Sequence, residues 1–453
     1  MVVSKTKKNY KQDRHKTKKN KTLFKNRNKN NTKKRNRQRR TKKVYFGGSP
    51  NSYMNIIRNY KDIPSFTLKK NNYDLPVGTK IFAFADVHGD FRLLVKLLEL
   101  SGVMKQSVEL PQIKTYGEMK CMYDVSSMQK YFDGLKWTGG SNYVVQIGDQ
   151  IDRTRNEETH EAFEDEGSTF EIVYLLLKLN ELAIQYNKTE GNYKSGQNYV
   201  FSMLGNHEIM NVKGDLRYCS LAEFKVFARR LNSKNSNLHN SNKRVYSYGD
   251  NDDNDVNSIS YHRKMAYKPG GTMANLMSKH YHTLLQIGPF LFVHGGLPSY
   301  IAANYKLKDI NYVVSKYLRG DKLDMKDELA LRNIINGDRS LLWNRDMSQD
   351  SHRETRESRM SSLSNEIPIF KKLADIMNKY SNKNTNNDKP QVLCVGHTPQ
   401  YFVKEDANLL FSEPKQSDYS KTVYQLKPNT NDVLRLDTGA SRAFGEVRDK
   451  VKG

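Results

Sequence analysis

Residues 80–85 of this chain read Lys-Ile-Phe-Ala-Phe-Ala, and the turn Asp86-Val87-His88-Gly89-Asp90 follows them directly. The short apolar run predicts a buried β-strand. In residues 91–100 the apolar side chains recur at three- and four-residue spacing, which predicts a helix that ends before Gly102. A carboxylate and an imidazole therefore stand in the loop after a buried strand, where they can reach a crevice at the edge of a sheet.

The same succession of an apolar run and a polar loop recurs four more times. The runs cover residues 143–147, 199–204, 290–293 and 392–395. The loops that follow them contain Gly148-Asp149, Gly205-Asn206-His207, His294-Gly295-Gly296 and Gly396-His397-Thr398. We therefore predict an α/β fold in which five buried strands each end in a loop that bears Asp, Asn or His.

These loop side chains are of the types that bind transition metals. The candidate ligands are Asp86, His88, Asp149, Asn206, His294 and His397. Asp and His suit Mn, Fe or Zn, and Asp149 has two oxygens with which to bridge two ions. Two adjacent ions lower the pKa of a water between them and stabilise both ends of an in-line displacement at phosphorus. Each motif alone is weak evidence, whereas the ordered set of five is specific.

The motifs together resemble those of the phosphoprotein-phosphatase branch of the calcineurin-like metallophosphoesterases. The resemblance extends from Phe82 to about Gly445. It implies a double β-sheet sandwich flanked by helices, with a dinuclear metal centre in the loops at the sheet edge. It also implies that Asp86 and His88 bind the first metal and that Asp149 bridges the two. The implied ligands of the second metal are Asn206, His294 and His397.

The resemblance further implies catalytic roles. His207 matches the general acid that protonates the leaving oxygen, and Asp152 matches the carboxylate that orients this acid. Arg153 matches a guanidinium that binds the phosphate in bidentate fashion. Arg345 is a candidate for a second phosphate-binding arginine; the alternative is a surface arginine near a core tryptophan.

The chain also departs from the usual phosphatase pattern. Ala85 and Thr154 replace two glycines, and the Ser-Ala-Pro-Asn-Tyr segment of animal and plant enzymes is absent. Residues 341–345 (Leu-Leu-Trp-Asn-Arg) and 436–445 (Leu-Asp-Thr-Gly-Ala-Ser-Arg-Ala-Phe-Gly) resemble instead the bacterial-like phosphatases known as Shewanella-like, which include members from large DNA viruses.

Composition divides the 453 residues into unequal parts. Residues 1–43 hold 20 Lys and Arg against one acid, Asp13, so this stretch carries about +19 of the formal charge of +26. We predict a disordered polybasic arm over 1–48, a transitional segment over 49–78 and the metallophosphoesterase catalytic domain over 79–449. Low-complexity insertions are predicted at 232–258 and 378–390. The arm could bind nucleic acid or another polyanion without sequence preference, direct nuclear import, or act as a solubilising tail.

Cysteine usage and hydropathy indicate the cellular compartment in which the protein is expected. Three scattered cysteines without CxxC spacing favour a reducing environment. No apolar stretch approaches the roughly 20 residues of a membrane span, and no signal peptide is evident. We expect an intracellular protein of the cytoplasm or nucleus, or of a virion if its source is a large DNA virus, with no membrane partner.

The leading functional hypothesis is a serine/threonine, or tyrosine, protein phosphatase that acts on phosphoprotein or other phosphoester substrates. A second enzyme hypothesis is hydrolysis of a dinucleoside polyphosphate or an RNA cap, which the polycationic arm favours mildly. A hypothesis of another class is a noncatalytic nucleic-acid-binding scaffold on a phosphatase fold. The presence of every expected ligand and of the Asp152/His207 pair argues against the last.

Overall fold

The structure of the protein is a computed structural model. It describes residues 70–116, 119–162, 164–194, 196–231, 256–348, 375–381, 390–399, 424–425, 433–437, 439 and 441, all of them in one compact unit. The strands are β1 (Asn72–Tyr73), β2 (Ile81–Phe84), β3 (Met104–Gln106), β4 (Lys114–Tyr116), β5 (Met119–Met122), β6 (Leu135–Trp137), β7 (Tyr143–Gln146), β8 (Val200–Met203), β9 (Tyr281–His282), β10 (Leu284–Ile287), β11 (Phe290–Val293), β12 (Val392–Val395), β13 (Tyr424–Gln425) and β14 (Val433–Arg435). The helices are α1 (Phe91–Leu100), α2 (Val125–Asp133), α3 (Thr169–Thr189), α4 (Asn206–Lys213), α5 (Leu221–Leu231), α6 (Val256–Tyr267), α7 (Thr272–His280), α8 (Ser299–Asn304), α9 (Leu307–Arg319) and α10 (Met325–Ile335).

Two five-stranded sheets form the framework. One has the order β13-β2-β7-β8-β9 and the other the order β1-β10-β11-β12-β14. In the first sheet β2, β7, β8 and β9 run parallel and only β13 is antiparallel. In the second sheet β10 and β11 form an antiparallel hairpin, and the other pairs are parallel. Parallel strands bring their carboxyl ends to the same edge of a sheet, so the loops after β2, β7 and β8 emerge together.

Side chains of both sheets belong to one apolar core. Every residue of β7, β8, β10, β11 and β12 is buried, as expected for strands covered on both faces. The sheets also touch directly, because the ring of Tyr73 in β1 lies 4.7 Å from that of Phe201 in β8. This arrangement confirms the predicted fold class, a double β-sheet α/β structure with flanking helices.

Helix α1 shows how the sequence specifies a local element. Asp90 caps its N-terminus by accepting a hydrogen bond from the backbone N–H of Leu93 at 3.0 Å, an interaction that contributes about 1 kcal/mol. The apolar side chains at three- and four-residue spacing, among them Phe91, Leu94 and Leu98, are all buried. The predicted strand and helix of this first unit are both confirmed.

Three described elements overlap the predicted segments. Strand β1 lies inside the predicted transitional segment and pairs in parallel with β10. Helix α6 begins at Val256, so the last residues of the predicted insertion at 232–258 are helical. Residues 375–381 are helical and bury Tyr380, so the helix overlaps the first residues of the predicted insertion at 378–390. Tyr73 of β1 and Tyr380 of the 375–381 helix belong to the apolar core. The predicted arm at 1–48 lies outside the described residues.

Among the residues that the structure describes, no helix has the length and apolar character needed to span a membrane.

Candidate metal centre

The five polar loops meet around one carboxylate, that of Asp149. Its Oδ2 lies 3.3 Å from His294 Nε2, 3.8 Å from His207 Nε2 and 4.0 Å from His88 Nε2. All four side chains are buried. Backbone hydrogen bonds hold the loops in register: the amides of Val87 and His88 both donate to the carbonyl of Asp149, at 3.1 and 3.0 Å.

Two groups of side chains could each hold a metal ion. One consists of His88, Asp149 and His207, and the other of Asp149, His294 and His397, with ligand atoms within 4.8 Å of one another in each group. Asp149 belongs to both groups, as the sequence-based prediction of a bridging carboxylate requires. The second group contains two of the three ligands predicted for the second metal.

The remaining predicted ligands also lie at this centre. Asp86 Oδ2 is 3.6 Å from His88 Nε2, and Asn206 Oδ1 is 2.9 Å from His294 Nε2. The structure thus brings all six predicted ligands together. The role of His207 has an alternative. His207 is the predicted acid, but it belongs to the potential metal-binding group of His88 and Asp149, in the place predicted for Asp86.

The histidines are oriented in the manner of metal ligands. His88 Nδ1 lies 3.3 Å from the carbonyl of Ile151, and His294 Nδ1 lies 2.7 Å from that of Ile147. Ligating histidines commonly use one ring nitrogen for such a backbone contact and direct the other at the metal. His397 Nε2 is buried without a hydrogen-bond partner among the described residues. Divalent transition-metal ions therefore fit this set of donors.

The ligand loops hold strained backbone conformations. Four predicted site residues have left-handed φ angles: His88 (43°), Asp149 (52°), Asp152 (72°) and His397 (68°). Such conformations are uncommon for residues other than glycine and concentrate at functional sites. Gly396 allows close packing next to His397, because a Cβ atom there would lie 2.9 Å from that of Ala85. The alanine at position 85 is thus accommodated by a glycine on a different loop.

Crowding of charge shifts the pKa values of the ligands in opposite directions. Burial acts to raise the pKa of Asp149, but His294, His207 and His88 together hold it well below its usual range. Burial acts to lower the pKa of His294, yet Asp149 and Asp86 raise it to about 10. Burial and Asp437 raise the pKa of Asp86 well above its usual range. These buried, mutually repelling carboxylates are an environment that a divalent cation would stabilise.

His207 and Asp152 form the pair that the sequence predicts. His207 Nδ1 lies 2.9 Å from Asp152 Oδ2, and the His207 ring lies 5.1 Å from the ring of Tyr218. Burial acts to raise the pKa of Asp152, but the hydrogen bond from His207 and the charges of His207 and Arg263 hold it below its usual value. Asp152 is therefore an ionised acceptor that fixes the orientation of the His207 imidazole.

The arginine predicted to bind phosphate points elsewhere. Arg153 is 1% exposed, and its Nη1 lies 3.3 Å from Asp90 Oδ2 at the start of α1. Its Cβ also lies 3.4 Å from the position of a Cβ on Gly89, so its side chain packs beneath that turn. Arg153 thus connects the two loops, and its predicted phosphate contact stays a prediction.

Arg155, which sequence analysis did not single out, faces the centre instead. Its side chain is exposed, its Nη1 donates to the carbonyls of Asp152 (3.2 Å) and Thr154 (2.8 Å), and its guanidinium lies 5.8 Å from the centre of the Tyr218 ring. Burial and the Arg155 charge together hold the pKa of His88 well below its usual range. Thr154, which stands in place of the usual glycine after Asp-Arg, was the available signal next to it.

Arg345 lies at the opposite side of the ligand set. Its exposed side chain donates from Nη1 to Thr398 Oγ1 at 3.0 Å and to the carbonyl of His397 at 3.3 Å. Trp343 packs edge-on against the His397 ring at 5.9 Å. Arg345 is therefore next to a predicted ligand, as a phosphate-binding residue would need to be.

Two further carboxylates support the ligands. Glu208 accepts hydrogen bonds from the backbone N–H groups of Gly205 (2.7 Å), Gln150 (2.9 Å) and Asp149 (3.0 Å), so it ties two ligand loops together. Asp437 is buried beside Asp86, and burial raises its pKa to about 6. In the sequence Asp437 is only part of a terminal motif, because its contact with Asp86 spans most of the chain.

Comparison with known proteins places the chain among phosphatase relatives. No protein-family model matches it. It is 26% identical over 288 residues to Shewanella-like protein phosphatase 2 of Arabidopsis thaliana, a match that covers 60% of this chain and 59% of that protein. It is 24% identical over 358 residues to Shewanella-like protein phosphatase 1 of Plasmodium berghei, with 78% of this chain and 69% of that protein covered. An uncharacterized protein of Acanthamoeba polyphaga mimivirus, R398, is 25% identical over 55% of this chain and 84% of its own length.

Among solved structures, the chain is similar to a cold-active protein-tyrosine phosphatase of a Shewanella species. That match has 18% identity and a TM-score of 0.43, and it covers 84% of this chain and 76% of the other. The sequence matches confirm the resemblance to Shewanella-like protein phosphatases that the motifs predict.

Proposed function

We propose that this chain is a metal-dependent phosphomonoesterase that removes phosphate from phosphoserine, phosphothreonine or phosphotyrosine in proteins. The observation that carries the proposal is the position of Asp149, which belongs to both potential metal-binding groups and lies 3.8 Å from His207 Nε2. A shared carboxylate beside an oriented imidazole suits hydrolysis of a phosphate ester. Two of the relatives are named as protein phosphatases, which supports the same reading.

We assign the ligand set to two ions of manganese, iron or zinc, which suit imidazole and carboxylate donors. Bound there, such ions would supply an acidified water and positive charge opposite a phosphate group. The chain contributes the arrangement itself: buried imidazoles held by backbone carbonyls, and carboxylates in loops tied together by Glu208.

His207 is assigned to the leaving group. Its Nδ1–H donates to Asp152 Oδ2, so the proton available for transfer is carried on Nε2, which is directed toward Asp149. Protonation of the departing oxygen by a positioned acid contributes roughly 10²- to 10⁴-fold to the rate of such reactions. Asp152 keeps the imidazole in this orientation.

Arg155 and Arg345 are assigned to the phosphate. Both side chains are exposed, one beside His207 across the Tyr218 ring and the other beside His397. Guanidinium groups match phosphate oxygens with paired N–H donors. Arg153, held by Asp90, is assigned a structural part only.

A substrate panel tests the proposal. Purified protein with added Mn²⁺ would be given phosphoserine, phosphothreonine and phosphotyrosine peptides, diadenosine tetraphosphate and capped RNA, with His207→Asn as the matched control. We expect release of inorganic phosphate from at least one class of phosphopeptide, lost in the control. Turnover of the dinucleotide or cap alone would favour the second enzyme hypothesis. No turnover of any substrate at full metal content would favour the noncatalytic scaffold.

The basic arm is assigned a separate part. We propose that residues 1–43, which lie outside the described residues, bind nucleic acid or another polyanion nonspecifically in an intracellular setting, cytoplasmic or nuclear. The support is the charge of about +19 on this stretch. Cys219 and Cys394 are free and buried, which is compatible with a reducing compartment.

A further inference from the structure

Arg263 of α6 is one of the largest fully buried side chains among the described residues. Its Nη2 donates to Asp152 Oδ1 at 3.0 Å, and its Nε donates to Asn211 Oδ1 at 2.7 Å. Its Nη1 makes longer contacts of 3.4 Å with Thr169 Oγ1 and Glu223 Oε1. A guanidinium without exposure to water needs such partners, because an unpaired buried charge is strongly unfavourable.

Two neighbouring aromatic rings, with their centres 5.7 Å apart, pack against the same guanidinium. It lies 4.9 Å from the centre of the Phe227 ring in α5 and 5.1 Å from that of Tyr267 in α6. A planar cation packed against two rings and hydrogen-bonded at its edge has little freedom to turn. Arg263 is therefore a rigid donor directed at Asp152.

The two carboxylate oxygens of Asp152 have different hydrogen-bond partners. Oδ2 accepts from His207 Nδ1 at 2.9 Å, while Oδ1 accepts from Arg263 Nη2 and from Cys219 Sγ, each at 3.0 Å. Asn211 Nδ2 reaches both oxygens, at 3.0 and 2.9 Å. Arg263 is the cationic partner that fixes Asp152 on the side away from His207.

Glu223 extends this support to the backbone. Its carboxylate accepts from the amides of Asp152 and Arg153, each at 3.2 Å, and from Thr169 Oγ1 at 2.9 Å. Asp152 has a left-handed φ of 72°, a conformation that persists only when its surroundings hold it. Arg263 and Glu223 together provide such surroundings.

We propose that Arg263 is a positioning residue for leaving-group protonation: through Asp152 it sets the direction in which His207 presents Nε2 to the substrate. The proposal rests on the proposed function and adds to it a residue that touches neither substrate nor metal. Its buried side chain acts on the reaction only through the Asp152–His207 pair.

The test compares Arg263→Met, Arg263→Lys and the control Thr169→Val on two substrates. One is an alkyl phosphate, whose leaving group needs a proton, and the other is an activated aryl phosphate, whose leaving group does not. We expect Arg263→Met to lower kcat on the alkyl substrate by up to roughly 10²-fold, the scale of a misplaced catalytic group. The loss on the aryl substrate should be much smaller, while KM and metal content stay unchanged. Thr169→Val, which alters the same buried cluster without touching Asp152, should leave the aryl-to-alkyl ratio as it is.

A double-mutant comparison separates positioning from general damage. In a His207→Asn background, adding Arg263→Met should not lower alkyl turnover further, because the group it positions is already absent. Equal losses on both substrates, or a full additional loss in that background, would overturn the proposal. If Arg263→Met fails to fold, the ratio measured for Arg263→Lys decides, and an unchanged ratio counts against the proposal.

A spectroscopic signature gives a readout without turnover. The Nδ1–H proton of His207, bonded to Asp152, should give a downfield proton resonance that His207→Asn removes. We expect Arg263→Met to shift or broaden it, and an unaltered resonance would contradict the proposal. Wild-type protein that hydrolyses neither substrate would refute the proposed function instead, so the two failures are distinguishable.

Discussion

Arg153 and Arg155 stand two positions apart on one loop, yet their side chains have opposite environments. Arg153 is buried with its Nη1 3.3 Å from Asp90 Oδ2. Arg155 is exposed, donates to the carbonyl of Asp152 and faces the ring of Tyr218 beside His207. We therefore expect Arg155 to contact phosphate in this chain and Arg153 to connect the two loops.

Substitutions at the two arginines should separate binding from stability. Arg155→Ala should lower kcat/KM by about 10- to 100-fold, since hydrogen bonds to a charged group contribute about 1.5–3 kcal/mol. Arg153→Met should instead destabilise the fold by about 3–5 kcal/mol, because it leaves a buried carboxylate without its partner. Steady-state kinetics and denaturant unfolding measure the two effects, with Arg155→Lys as the charge-preserving control. The reverse pattern would restore the phosphate role to Arg153.

Asp149→Asn should reduce metal binding at both positions together. Asp149 is shared by both potential metal-binding groups, and an amide supplies only one neutral oxygen. We expect about two transition-metal ions per wild-type chain by elemental analysis after saturation with Mn²⁺. A variant that loses a single ion and retains the other would show that the carboxylate does not bridge.

His207→Asn should distinguish an acid from a ligand. As the acid, its loss should leave both ions bound and reduce alkyl phosphate turnover by roughly 10²- to 10⁴-fold, with a smaller loss on an activated aryl phosphate. Because His207 also falls in a ligand group with His88 and Asp149, metal content must be measured on the same samples. Loss of one ion, or equal losses on both substrates, would reassign His207 as a ligand.

Glu208→Gln should weaken metal binding although Glu208 is not itself a predicted ligand. Its carboxylate accepts from three backbone amides, those of Gly205, Asp149 and Gln150, and a glutamine would turn an N–H donor toward at least one of them. Loss of such outer partners typically costs about 10- to 100-fold in metal affinity. Competition with a chelator measures the effect, with Glu181→Gln on the exposed part of α3 as control. Unchanged affinity would restrict Glu208 to a purely structural part.

Deletion of residues 1–43 should separate the arm from the catalytic domain. The stretch contains none of the candidate ligands, so kcat on a small aryl phosphate and the thermal midpoint should change little. Binding to DNA or RNA at low salt should fall sharply, because about 19 net charges are removed and counterion release scales with neutralised phosphates. Lost activity would show that the arm supports the enzyme. Retained nucleic-acid affinity would place the polyanion site on the remaining residues and favour the RNA-cap hypothesis.

Much of this centre was accessible from sequence because its parts are local. Each predicted ligand lies directly after a buried apolar strand, and parallel strands deliver such positions to a common edge. The approach of His88 to Asp86 and Asp149 follows from that rule. The strands and the helix over residues 91–100 follow from apolar runs and from apolar spacing. The positions of these elements and candidate ligands can be predicted from periodic patterns and short motifs of about ten residues.

Tertiary structure alone decided which way the other side chains point. Asp152 has a left-handed φ, after which the side chain of Arg153 turns toward Asp90 and that of Arg155 approaches the centre. No local sequence pattern indicates that these two side chains point in different directions. Asp437 and Arg263 reach Asp86 and Asp152 across long separations in sequence. The position of a buried charge depends on partners that only the complete fold brings within hydrogen-bond distance. The sequence therefore determined the candidate ligands, whereas tertiary packing determined which residues orient them.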